Sequence, residues 1–318
     1  MFAHARTAFW YGLQQLPMEL GQTVLVPDYI CEVTLHPLED LGIQPVFYPV
    51  DDHFAPDWEA LETLQSSKSA RALLLVHYFG QPQDIERARD FCDQHQLWLL
   101  ADNAHGYGGK LNGIPLESMS DLGFGSPRKL LRSSSGGILY VHGKPVETLK
   151  ETLPLFPVSK SKEVLLQMIR SFPRIHKGLQ RLLRHEPDYS DPAAFPESKL
   201  DHFKADPYSE RIFRTENWPE HAEARREAWI AWSHFSLKNN LQPVWEKPHP
   251  ESCPWVMPVY ASSMEDRLLW LRWSRKNGID SFPWPSLPGS VLHTTPSAVD
   301  RWKSMFCFPL HQKPKGHQ

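Results

Sequence analysis

Two unbroken apolar runs constrain this chain most. ALLLVHYFG spans residues 72–80, and LWLLA (97–101) leads into Asp102. Such runs predict strands covered on both faces, because a strand with one wet face alternates apolar and polar residues. Between them, DIERARDFCDQHQ (84–96) sets Ile85, Ala88, Phe91 and Cys92 on one helical stripe. The same alternation runs upstream. VLVP (24–27), stopped by Pro27, and PVFYPV (45–50) predict strands; CEVTLHPLEDLG (31–42) predicts a helix ended by Gly42, and WEALETLQ (58–65) one capped by Asp57. RTAFWYGLQQLPMEL (6–20) predicts an opening helix and GILYV (137–141) a further strand. Buried strands alternating with amphipathic helices predict an α/β domain around a largely parallel central sheet. Ligands of such sheets collect at the carboxyl ends of the strands, where Asp102 and His77 stand.

The pattern changes after about residue 150. The 318 residues exceed one small domain, and we expect a large domain over 1–170 and a smaller C-terminal α/β domain over 171–318. Helices are expected over EVLLQMIRSF (163–172), EHAEARREAWIAWSHF (220–235) and DRLLWLRWSRKNG (266–278), and a strand over PWVMPVY (254–260). Most of the 12 Trp and 29 Pro lie in this half, which predicts an irregular, loop-rich region. With 41% hydrophobic and 22% charged residues the chain can build a core. Its formal net charge of −3, without a Lys/Arg block, leaves no electrostatic footprint for nucleic acid. No run approaches the ~20 apolar residues of a membrane helix. The opening residues lack a secretory pattern, and Cys31, Cys92, Cys253 and Cys307 lie far apart, so a cytoplasmic protein with reduced thiols is expected. The 16 histidines show no ligand spacing, and no metal is expected.

Three clusters could carry chemistry. Asp102-Asn-Ala-His105 puts an acid at a strand end with an imidazole three residues on. An aspartate beside a pyridine nitrogen keeps it protonated, as pyridoxal-phosphate (PLP) catalysis requires; a solvated loop acid near a core histidine is the plainer reading. Ser126-Pro-Arg-Lys129 offers an amine that can bond an aldehyde when neutral, Arg128 and Arg132 nearby to depress its pKa or bind an anion, and a hydroxyl suited to a phosphate. The same S-x-x-K occurs in serine hydrolases with a lysine base, though no oxyanion motif accompanies it here. Gly136-Gly137 permits a close backbone approach or simply a tight turn into a strand.

Taken in order, these segments resemble the DegT family of sugar aminotransferases, of PLP fold type I. The strongest stretch is LWLLADNAHGYGGKLNGIPLESMSDLGFGSPRKLLRSSSGGILYV (97–141). VLVPDYICE (24–32), PVFYPVDD (45–52) and VHYFGQPQDI (76–85) are similar to upstream family segments, and AEARREAW (222–229), CPWVMPV (253–259), KNGIDSFPWPSLP (276–288) and FPLHQ (308–312) to downstream ones. The resemblance implies that Lys129 bonds the cofactor and moves the substrate proton, that Asp102 pairs with the pyridinium nitrogen, and that His105 bonds the phenolic oxygen. It also implies that Ser126, with Arg6 and Thr7 at a helix start, binds the phosphate. The implied reaction transfers an amino group, commonly from glutamate, to a keto group of a nucleotide-linked sugar, in a homodimer. The chain departs from the pattern at Ala101, Ala5 and Phe124, and at Cys31, where the stacking aromatic falls and Tyr29 is a candidate substitute. A G-x-N-x-R segment is not evident between 170 and 215. Two alternatives stay open: a PLP-dependent dehydratase or lyase, and a non-catalytic homologue. FPWPSLP (282–288) could line the substrate entrance or pack as a loop.

Overall fold

A computed structural model describes residues 1–68, 70–146, 153–157, 189–192, 200–284 and 286–314. Its centre is a seven-stranded sheet in the order β2-β1-β3-β4-β7-β8-β9. The strands are β1 (Thr23–Pro27), β2 (Gln44–Tyr48), β3 (Ala72–Val76), β4 (Trp98–Asn103), β7 (Leu122–Gly125), β8 (Ile138–Val141) and β9 (Lys144–Pro145). The first five pair in parallel, and β8 and β9 close the edge antiparallel. Every residue of β3 is buried, as its unbroken apolarity requires. The hairpin β5 (Lys110–Leu111) and β6 (Ile114–Pro115) leads from β4 towards β7.

The helices follow the sequence with local adjustments. α1 (Ala5–Leu13) stops seven residues short of the predicted end, and residues 31–42 split into a 3-10 turn (Glu32–Thr34) and α2 (His36–Asp40), where Pro37 opens a new first turn. α3 (Trp58–Lys68) receives a cap from Asp57, whose carboxylate accepts from Ala60 N–H. Asp84 caps α4 (Ile85–His95) through Arg87 N–H, and the predicted stripe of Ile85, Ala88, Phe91 and Cys92 is its buried face. α5 (Pro127–Leu131) carries Lys129.

The C-terminal half is more regular than its Trp and Pro content suggests. α6 (Pro207–Thr215), α7 (Trp218–Lys238), α8 (Met264–Lys276), α9 (Gly289–Thr294) and α10 (Pro296–Ser304) accompany an antiparallel sheet β10-β11-β12 (Gln242–Pro243, Val256–Tyr260, Met305–Pro309). Tryptophans are its filling rather than loop punctuation. Trp232 stacks on Phe308 with ring centroids 4.2 Å apart, and Trp229, Trp232 and Trp302 are fully buried. Most of the prolines in these helices sit at the first turn, where no N–H is required. The expected helix at 163–172 and the boundary at 170/171 lie outside the described residues, as does most of 170–215.

Gly123 on β7 faces the 3-10 turn Leu116–Met119, and a Cβ there would lie 1.9 Å from the Glu117 carbonyl oxygen. That obstacle is backbone and cannot rotate away. Gly123→Ala is expected to cost about 3 kcal/mol, read as a lower midpoint in urea unfolding; an unchanged midpoint would mean that the turn is not held against the sheet.

Candidate active site

Strand ends and two glycines assemble the site. β4 delivers Asp102 at its carboxyl end, and β7 runs into the turn that starts α5, so Ser126 and Lys129 arrive beside it. Gly136-Gly137 supplies a close approach as well as a turn. Gly137 N–H donates to Phe2 C=O (2.7 Å) and Gly136 N–H to Ala3 C=O (2.7 Å), and a Cβ on Gly137 would lie 2.3 Å from His4 backbone. This contact sets the N-terminus of α1 against the lysine loop. The resulting slot is lined by His4, Ala5, Arg6, Cys31, Asp102, His105, Ser126, Arg128, Lys129 and Trp284, among others.

Asp102 is buried, and its Oδ1 accepts Ala104 N–H at 2.7 Å. Burial pushes its carboxyl up to about 6, while backbone bonding and the Lys129 charge pull the other way. His105 is held from behind. Phe79 takes a left-handed backbone (φ 55°), which aims its N–H at His105 Nδ1 (3.3 Å), and Gly80 follows at φ +85° because a Cβ would meet His105 carbonyl oxygen at 2.8 Å. Burial, helped by the Lys129 charge, holds the imidazole well below its ordinary pKa. A neutral ring with Nδ1 accepting carries its proton on Nε2, as a donor to an acceptor in the slot. Ser126 stands at the start of α5, and its side chain makes no capping bond there.

Arg6 and Thr7 are at the helix start, but their side chains have an intramolecular partner. Arg6 donates to Asp201 Oδ2 (2.8 Å), Thr7 Oγ1 to Asp201 C=O (2.9 Å), and His4 Nδ1 lies 2.7 Å from the same carboxylate. Nothing in the sequence near Asp201 announced this contact. Tyr29 does not line the slot; its hydroxyl bonds Trp284 C=O (2.6 Å), and Trp284 lines it together with Phe9 and Phe124, its ring 4.6 Å from His105 edge to face.

Lys129 is shared with a second space. Its Nζ sits 4.5 Å from the Trp255 ring centroid, and both residues line a chamber of about 440 Å³ with Arg132, Arg225, Arg275, Asp280, Ser281, Phe282 and His311. Arg132 and His311 flank the Asp280 carboxylate at 3.7 and 3.5 Å. Of the segment 282–288, Phe282 faces this chamber and Trp284 the slot. Arg225, buried on α7, ties the walls together. It donates to Leu130 C=O (2.8 Å), Pro254 C=O (3.1 Å) and Trp255 C=O (2.9 Å), and Nε donates to His221 (2.7 Å). Arg225→Met would orphan three buried carbonyls, and a loss of about 3 kcal/mol in denaturant unfolding is expected; a loss below about 0.5 kcal/mol would show that water replaces the guanidinium.

A mostly parallel sheet that brings an acid, an imidazole, a hydroxyl and a lysine together at its carboxyl edge has the architecture of fold type I. The chain belongs to the DegT/DnrJ/EryC1/StrS aminotransferase family, whose model matches residues 2–162. GDP-perosamine synthase of Vibrio cholerae is 26% identical over 141 residues, covering 43% of this chain and 38% of that protein. The dTDP-3-amino-3,4,6-trideoxy-alpha-D-glucose transaminase of Streptomyces venezuelae is 30% identical over 144 residues, covering 43% and 37%. The matched stretch therefore spans under two fifths of these relatives. The fold extends further. Helicobacter pylori PseC, an aminotransferase of pseudaminic acid biosynthesis, superposes with TM-score 0.65 at 15% identity over 97% of this chain and 80% of that one. A Streptococcus pneumoniae protein described as a sugar aminotransferase, solved in its PLP form, gives 0.67 at 17% over 99% and 82%.

Proposed function

We propose that this protein is a PLP-dependent aminotransferase that passes an amino group, from glutamate or a similar donor, to the keto carbon of a nucleotide-linked sugar or a similar small carbonyl compound. The observation that carries the reading is the convergence of Asp102, His105, Ser126 and Lys129 on one slot, with Lys129 also facing the chamber. The donor set suits the cofactor: a buried carboxylate for a ring nitrogen, a neutral imidazole N–H for a phenolic oxygen, and a hydroxyl at a helix start for a phosphate. When bound, PLP supplies a protonated ring that withdraws electrons from the substrate carbon. Asp102 would hold the ring proton, His105 Nε2 would orient the ring through the phenolic oxygen, and Lys129 Nζ would carry the proton between substrate and cofactor. Arg6 and Thr7 would add to the phosphate site through the amino end of α1. The chamber's Arg132, Arg275 and His311 favour an anionic substrate such as a sugar diphosphate. The four buried free cysteines suit a reducing compartment, and we read the protein as a cytoplasmic enzyme and, from the family resemblance, as a homodimer.

Two observations favour a second reading, a homologue without turnover. The slot's open volume is about 50 Å³, room for a water or two, and Asp201 already occupies the Arg6 and Thr7 side chains. Adding L-glutamate to the PLP-loaded protein separates the two. Release of 2-oxoglutarate with a change in the visible spectrum is expected of the transferase. A loaded protein that leaves glutamate unchanged would overturn the glutamate-dependent reading.

A further inference from the structure

The strand that presents Asp102 carries a polar residue on its other face as well. Side chains alternate along a strand, so Asn103 points away from the cofactor slot. Its Nδ2 donates to Glu117 Oε1 at 2.9 Å, and Glu117 is 1% exposed. Glu117 lines a cleft of about 520 Å³ that shares no residue with the slot or the chamber. The cleft lies between the β5–β6 hairpin, the start of α7 and Pro250-Glu251.

Its walls are electron-rich. Tyr107 and Trp218 meet edge to face at 4.7 Å, and Tyr140 completes an aromatic surround with Pro115, Pro219 and Pro250. Gly108, at φ +87°, lets the indole lie close, since a Cβ would sit 3.0 Å from the Trp218 ring. The basic residues of the rim do not answer Glu117. Arg226 is held by Ser252 C=O and by the Glu223 carboxylate, Lys110 is exposed on β5, and Glu251 is a further acid. Burial holds the Glu117 carboxyl up to about 8, against hydrogen bonds from its own backbone and from the neutral Asn103 amide that pull the other way.

A buried carboxylate surrounded by π faces and proline rings is the chemistry that recognises a compact organic cation. We propose that this cleft binds an alkylammonium ligand, with Glu117 as its counter-charge and Tyr107, Tyr140 and Trp218 as its walls. The ligand would sit on the far face of the strand that presents Asp102.

Choline and its uncharged isostere 3,3-dimethylbutan-1-ol test this by isothermal titration calorimetry, in mildly alkaline buffer where Glu117 is ionised. Choline is expected to bind at one site, roughly tenfold or more tighter than the alcohol. Glu117→Gln keeps an acceptor for Asn103 and is expected to weaken choline roughly tenfold; Trp218→Ala, on the cleft wall, is expected to do the same. Lys129→Ala is expected to leave choline binding unchanged. No binding heat in the tens of millimolar, equal binding of the alcohol, or equal binding by folded Glu117→Gln and Trp218→Ala would each overturn the proposal. Loss of choline binding in Lys129→Ala would do so too, because it would place the ligand in the cofactor site.

Discussion

Lys129→Ala is expected to abolish the visible absorbance that PLP gives the protein and to lower amino transfer by about 10³-fold or more. Lys129 borders both the slot that holds the Asp102, His105 and Ser126 side chains and the chamber with the arginines. No other lysine lines either space among the described residues, so no second amine there can replace it. The fold should survive, because the Trp255 contact is replaceable by water and Arg225 binds Leu130 C=O rather than the lysine side chain. Far-ultraviolet circular dichroism checks that point. A variant that keeps the wild-type spectrum and rate would sink the assignment of Lys129 as the cofactor lysine.

Asp102→Asn is expected to act in opposite directions on stability and on cofactor binding. In the cofactor-free protein, burial raises the Asp102 carboxyl to about 6 from a usual 3.8. A raised folded pKa means that the folded state binds the proton more tightly. The associated stability is complete below the unfolded pKa and is lost as pH rises through about 6. At pH 7 to 8 the ionised carboxylate therefore costs the empty protein about 3 kcal/mol. Asparagine cannot ionise, so the variant should be more stable than wild type by about that amount above pH 7, and near equal to it at pH 4. Cofactor binding should change the other way. The wild-type carboxylate gains a pyridinium partner, so its affinity should weaken as pH falls through 6. The asparagine variant lacks the charge and should lose activity by roughly 10²-fold or more at every pH. Thermal unfolding of empty protein and absorbance titration with PLP read the two arms. An asparagine variant that is less stable at pH 8 would show that burial does not penalise the Asp102 carboxylate, and one that binds PLP as tightly as wild type would show that Asp102 faces no ring nitrogen.

Much of the candidate site's inventory was legible locally. Strand ends are readable because an unbroken apolar run has to stop where a polar side chain appears, and β4 stops at Asp102-Asn103 as the run predicts. The lysine segment was readable because helix starts and paired glycines leave short-range marks. Other partners left no such mark. Asp201 contacts Arg6 across 195 positions, and Trp284 reaches His105 from the C-terminal half. The tryptophans misled for a related reason: composition suggested loops, whereas Trp229 and Trp232 fill one hydrophobic cluster and Trp302 another, with partners from separate helices and strands.

The sequence by itself determined the alternation of buried strands and helices, the family, and the residue types offered to a cofactor. These follow from periodicity and from short motifs, which need only neighbours in the chain. The tertiary structure alone decided that Phe79 fixes the His105 tautomer, that Arg225 binds the lysine loop to the wall beneath it, and that Asn103 joins Glu117 behind Asp102. Each is a directional hydrogen bond between groups distant in sequence. Its existence depends on where the packed sheet brings two atoms to within about 3 Å, and no local pattern encodes that.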